Sequence, residues 1–150
     1  MSSAAIHATA LVLGEAGVLI RGPSGAGKSR LAELLLRAAA ARGAFASLVG
    51  DDRLRVSAPH GRLVATAHPA IAGQRELRGL GVVAGTHEPS ARIALVVEIT
   101  AERGARMPDA EAACTIAGIS LPLLGLASVD IGPYAVALVE EKLRQLGRLV

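Results

Sequence analysis

Gly22-Pro23-Ser24-Gly25-Ala26-Gly27-Lys28-Ser29 fits the pattern G-x-x-x-x-G-K-S. The runs on either side decide how it is read. Before it lie two short apolar stretches, residues 6–13 and 17–20, separated by Gly14-Glu15-Ala16-Gly17, which predicts two strands joined by a tight turn. Behind it, Leu31-Ala32-Glu33-Leu34-Leu35-Leu36-Arg37 and the alanines that follow are strong helix formers, with no Pro or Gly until Gly43 supplies a stop. A strand, a glycine-rich turn and a helix in that order make a phosphate-binding loop. The glycines let successive backbone N–H groups turn inward around phosphate oxygens, and the helix N-terminus adds a partial positive charge. Lys28 is then placed to reach the β- and γ-phosphates and Ser29 to ligate magnesium, so ATP and Mg2+ are the expected cofactors.

Residues 45–49 form the next apolar run and end in Gly50-Asp51-Asp52, so a buried strand delivers two carboxylates at its carboxyl end. Nucleotide-binding folds of this kind place a metal-directed carboxylate at that edge of the sheet. In extended backbone the two side chains point to opposite faces, so at most one faces magnesium while the other faces water or an acceptor hydroxyl. Further on, residues 54–57 and 63–67 flank Pro59-His60-Gly61 and read as a hairpin. Residues 70–83, with Gly73, Gly79 and Gly81 among polar neighbours, read as a loop, and 93–99 as a Val/Leu/Ile strand. Residues 103–108 are turn-rich, Leu121-Pro122-Leu123 is too short a run to assign, and Pro133 opens an amphipathic helix at its first position. The expected fold class is α/β: a mixed β-sheet with one helix after the phosphate loop and a second at the C-terminus, in one domain of residues 1–150.

Hydrophobic residues make up 51% of the chain and charged residues 19%, a balance that disfavours a disordered chain. Phe45 and Tyr134 are the only aromatics, so there is no stacking platform for single-stranded nucleic acid. The net charge of +3 is scattered rather than gathered, and no nucleic-acid partner is expected. Charge, Gly or Pro breaks every apolar stretch before the roughly 18 residues of a membrane span. Cys114 stands alone, reads as a small apolar residue in a loop or helix, and permits no internal disulfide. With no basic, apolar leader at its start, the chain is expected in the cytoplasm. His60, His68 and His87 fall in loops without metal-ligand spacing.

His7, the phosphate loop, the Asp51-Asp52 pair and Arg75-Glu76-Leu77-Arg78-Gly79-Leu80-Gly81-Val82, in this order, resemble the catalytic domain of the HPr kinase/phosphorylase family. The signature of that family runs approximately E-I-R-G-L-G-I. The resemblance covers most of the chain and only the catalytic domain, without the usual N-terminal domain. It implies a phosphate-loop kinase that uses ATP to phosphorylate a serine of HPr, the small phosphocarrier of the bacterial sugar phosphotransferase system. Many members also remove that phosphate by phosphorolysis, and the family commonly assembles as homo-hexamers. By the same resemblance His7, 21 positions before Lys28 as in the family, is catalytic together with Lys28. Asp52 is then the base toward the serine hydroxyl, and Ser29, Asp51 and Glu76 face the magnesium. Arg106, within Arg103-Gly104-Ala105-Arg106-Met107-Pro108, is a further active-site arginine.

Read by themselves, His7 is a surface or core-satisfying histidine at the head of a strand, and Glu76 is an exposed carboxylate pairing with Arg75 and Arg78 for about 0–1 kcal/mol. The chain also departs from the family pattern. The stretch between the loop and the Asp pair is longer, and the late loop tied to dephosphorylation, rich in Arg, Pro and Gly, is replaced by Leu121-Pro122-Leu123-Leu124-Gly125-Leu126-Ala127-Ser128. Weak phosphorylase activity is expected. A function of another class stays open: an ATP-binding regulatory module that alters partner affinity without transferring phosphate.

Overall fold

A computed structural model describes residues 3–77, 79–102 and 111–149. Strand β1 (Ala4–Ile6) leads into β2 (Thr9–Leu13) and β3 (Ala16–Arg21), the last two antiparallel about a turn in which Gly14 takes a φ of 63°. β3 feeds the glycine loop and helix α1 (Lys28–Ala41). That helix stops where the sequence predicts: Gly43 N–H donates to Ala40 O and Ala44 N–H to Ala39 O, the two bonds of a Schellman cap. The chain returns as β4 (Ala46–Gly50), which pairs with β2, so β3 and β4 both end at the edge where the loop begins.

The hairpin around Pro59-His60-Gly61 forms as β5 (Leu54–Ser57) and β6 (Val64–Ala67). After β7 (Gln74–Leu77) and β8 (Gly81–Ala84) comes β9 (Ser90–Thr100), the spine of the molecule. It is antiparallel to β6 at its start, parallel to β3 along its middle, and parallel to β11 (Ile119–Ala127) at its end. β11 also pairs with β10 (Ala113–Ile116), and helix α2 (Pro133–Gln145) follows, with Pro133 in its first turn. Nine of the described strands make one mixed sheet, ordered β1-β5-β6-β9-β3-β2-β4 with β11 and β10 beside β9.

Alternation along the strands gives the sheet two apolar faces. Leu11, Val18, Ile20, Leu95 and Val97 meet α1 and α2 through Leu31, Leu35, Val139 and Leu143. Leu19, Val49, Val96 and Ile93 turn the other way, against Leu54, Val56 and Leu63 of the β5–β6 limb. No helix among the described residues is long and apolar enough to cross a membrane.

Three readings need correction. Residues 70–83 are not a loop: β7 and β8 pair as a separate two-stranded sheet, with Gly73 just before β7, Gly79 in the turn and Gly81 as the first residue of β8, all at positive φ. Leu121-Pro122-Leu123 lies within the nine-residue strand β11. Pro122 is tolerated because it stands where β11 leaves β10 for β9, so its missing N–H interrupts no continuous ladder. The apolar segment that stands in for a late loop is thus sheet, and only the residues from Ser128 onward reach the edge beside the glycine loop. Cys114 sits in β10, not in a loop or helix; burial pushes its thiol pKa up, Arg21 opposes that and Glu98 adds to it.

Candidate functional site

The carboxyl ends of β3, β4, β9 and β11 and the start of β2 share one edge of the sheet. Residues 22–29 arch over it. Gly22, Gly25 and Gly27 all have positive φ, a conformation that side chains disfavour, and a Cβ on Gly22 would lie 2.6 Å from Ile99 O. Gly27 caps α1 without a side-chain bond, and the first turn itself contains no acidic residue, so no side chain of that turn takes up its free N–H groups. Lys28 is 6% exposed, and its Nζ donates to Gly22 O at 3.0 Å and Pro23 O at 3.2 Å, which ties the two ends of the arch together.

The two aspartates part company. Asp51 is 8% exposed and accepts three hydrogen bonds: from Ser29 Oγ at 2.6 Å, from Thr9 Oγ1 at 2.9 Å and from Glu76 N–H at 3.4 Å. Asp52 lies outward, its side chain 63% exposed and its Oδ1 4.0 Å from Lys28 Nζ. The opposition expected of adjacent residues is there, but a left-handed turn makes it rather than extended backbone: β4 ends at Gly50 and Asp52 has a φ of 66°. Asp52 N–H in turn donates to Thr9 Oγ1 at 3.2 Å.

Thr9 therefore fixes both aspartates, and the sequence reading missed it. Its signal is the one hydroxyl in the otherwise apolar run Ala8-Thr9-Ala10-Leu11, fully buried in β2. His7 stands two residues earlier, exposed, at the same edge, because Thr9 is paired with Ile20 at the end of β3. Glu76 reaches Asp51 through its backbone only, and its own side chain is exposed. Arg75 does not pair with Glu76: its Nε donates to Glu33 Oε2 at 2.8 Å, and Glu33 also accepts from Arg37 at 3.0 Å, which straps β7 to α1. Arg106 lies outside the described residues.

Among the described residues no group of three or more His, Cys, Asp or Glu could hold a metal ion by itself. The donor set instead suits Mg2+, which takes one or two protein oxygens and completes its octahedron with phosphate and water. Asp51 and Ser29 supply those oxygens at the N-terminus of α1, and a loop of glycines opening onto free helix N–H groups suits the phosphates.

No curated protein matches the chain. Among solved structures it is similar to one described as the Hpr(Ser) kinase/phosphatase from Coxiella burnetii, at a TM-score of 0.74 and 22% identity over 96% of each chain, a likeness of fold. The family model described as HPr Serine kinase C-terminal domain matches residues 1–145, and with the glycine loop, the buried aspartate and the mixed sheet already in place, the chain belongs to that family.

Proposed function

We propose that this domain is an ATP-dependent protein serine kinase acting on an HPr-like phosphocarrier, with Mg2+ as its metal. The hydrogen bond between Ser29 and Asp51 carries the reading, because it draws the loop hydroxyl and a buried carboxylate to one point beside the phosphate arch. Bound Mg-ATP supplies a transferable phosphoryl group and a metal charge that offsets the charge on it. The chain contributes positioning and electrostatics. Residues 22–27 form the phosphate arch: Ser24, Gly25 and Gly27 present backbone N–H donors, Pro23 has none and the Ala26 N–H is bonded to Pro23 O, and Lys28 brings its ammonium to the same side. Ser29 and Asp51 hold the metal, and Glu76, whose backbone N–H donates to Asp51, is the further magnesium-facing position by the family resemblance. Asp52, turned outward beside Lys28, takes the proton of the arriving serine hydroxyl. His7 and Arg106 are further catalytic residues by the family resemblance.

Phosphorolysis needs a second anion pocket for inorganic phosphate beside the phosphoserine. The segment after β11, Ser128-Val129-Asp130-Ile131-Gly132, carries no Arg or Lys, which supports a kinase with weak phosphorylase activity. The same reading makes the domain a cytoplasmic homo-oligomer of the hexameric kind.

Labelled ATP incubated with an HPr-like carrier tests it. Label on a carrier serine is the expected result. Phosphate release that ignores the carrier would make the domain a hydrolase, and binding without transfer would make it the regulatory module.

A further inference from the structure

The far end of the molecule carries a second concave site. β9 changes partners along one edge: Val64 of β6 lies opposite Arg92, and Leu123 of β11 lies opposite Val96. Between these two ladders the sheet forks, and under the end of α2 the fork opens a cleft of about 260 Å3. Leu63, Ile93, Leu121 and Leu146 give it apolar walls, and Arg62, Arg92 and Arg148 border it; among the described residues no carboxylate lines it.

The three arginines converge for structural reasons. Leu63 and Ile93 are buried on the limb side of the sheet and joined by the bond from Ile93 N–H to Leu63 O, so alternation sends Arg62, in the extended stretch leading into β6, and Arg92, in β9, to the helix side. Arg148 follows the Schellman cap of α2, where Gly147 N–H donates to Arg144 O and Arg148 N–H to Leu143 O, and this fixes it over the same face. No described residue gives any of the three side chains a hydrogen-bond or ion-pair partner, whereas Arg21, Arg37, Arg42, Arg75 and Arg144 each have a carboxylate. Three guanidinium groups gathered without a counter-charge repel one another, and an anion between them reverses the sign of that interaction.

The chemistry narrows the anion. Phosphate sites draw on helix N-termini and convergent backbone N–H groups. Here the nearby helix end is a C-terminus, which offers no free N–H groups to phosphate oxygens. Guanidinium forks pair with planar carboxylates through two parallel bonds, and the apolar walls suit a carbon skeleton. The volume lies just under the roughly 300–1,000 Å3 of pockets for drug-sized ligands. We propose that this cleft binds a small polycarboxylate, two or three carboxylates on a short carbon chain. The proposal is independent of the kinase reading.

Citrate serves as the probe and inorganic phosphate as its competitor, by calorimetry on the full chain, with amide resonances followed in parallel. Citrate is expected to bind wild type and Lys28→Ala within twofold of each other, since the phosphate loop is not involved. Arg92→Gln should weaken it about tenfold and the triple change of Arg62, Arg92 and Arg148 to Gln by a hundredfold or more, as loss of one and of several charged hydrogen bonds predicts. Citrate should shift the amides of Ala94, Ser120 and Leu146. Should the triple variant fail to fold, Arg92→Lys, which keeps the charge and loses the fork, is expected to bind at least threefold more weakly. Absence of citrate binding, its loss in Lys28→Ala, undiminished binding in the arginine variants, or shifts confined to residues 22–29 overturns the proposal. So does tighter binding of phosphate, or of an oligoglutamate peptide, which would make the cleft a phosphate or protein site.

Discussion

Ser29 Oγ donates a 2.6 Å hydrogen bond to Oδ1 of Asp51, which joins the first turn of α1 to the end of β4 across 22 positions of sequence. The carboxylate is buried and accepts from two further donors, so its charge is held by bonds that each contribute more than neutral ones. Asp51→Asn keeps the shape and loses the charge. It is expected to lower stability by about 1–3 kcal/mol. ATP affinity should fall at least tenfold in magnesium and lose its dependence on the metal, which calorimetry with and without a chelator measures. Full metal-dependent affinity would remove Asp51 from the metal site.

Lys28→Ala removes a buried ammonium and the donor that ties the end of the arch back to Gly22 and Pro23 at its start. ATP affinity should drop by about 10- to 100-fold, and any phosphoryl transfer by a hundredfold or more, in the range seen when one electrostatic donor is lost. Unchanged binding and transfer would refute the loop assignment.

Asp52→Asn separates binding from chemistry. The side chain is exposed and makes no contact with Ser29 or Thr9 through its carboxylate, so ATP should bind within about threefold of wild type. Transfer to a serine should fall by about 10^2 to 10^4, the range for loss of a general base. A variant that transfers phosphate at the wild-type rate would show that another group takes the proton.

Thr9 gives a test without a charge change. Thr9→Val leaves Asp51 short of a donor and Asp52 N–H without its acceptor, at about 1–3 kcal/mol, while Thr9→Ser restores both bonds. Denaturant midpoints of the two variants should therefore diverge, with Ser near wild type. Equal midpoints would mean that the hydroxyl only fills space.

Gly17→Ala probes the sheet away from the site. A Cβ there would stand 2.3 Å from Arg92 O, with backbone rather than a flexible side chain in the way. Overpacking of this kind costs about 1–3 kcal/mol. At about 2–4 °C per kcal/mol for a chain of this size, the melting temperature should fall by several degrees. A melting temperature equal to wild type would mean that β3 and β9 can part to admit a methyl group.

What the sequence discloses is what local rules govern. The glycine loop, α1 with its stop at Gly43 and the β5–β6 hairpin each rest on residue types within one short window, and they stand where those residues place them. The two aspartates are likewise legible as an inward and an outward carboxylate, though the left-handed turn at Asp52 is not. The β7–β8 hairpin hides because its glycines look alike whether they end strands or fill a loop. β11 hides because Pro122 and Gly125 interrupt its pattern, and its pairing is settled by β9 and β10, not by its own residues. The support from Thr9 depends on β2 lying beside β4, which no window of sequence contains.

The strand β9 holds three partners, and this shapes how the chain reaches its native form. Its registered contact with β3, marked by Arg21 opposite Glu98, closes over 77 positions of sequence. On the ribosome, the glycine loop, α1 and the aspartates all emerge while β3 still has a bare edge, with Val18 and Ile20 looking for a neighbour. Such long-range parallel pairing forms slowly, because loop closure must be met before any contact rewards it. The phosphate arch is thus among the earliest parts to be synthesised and among the last to be secured, and its geometry is completed only when a strand made much later slides in alongside.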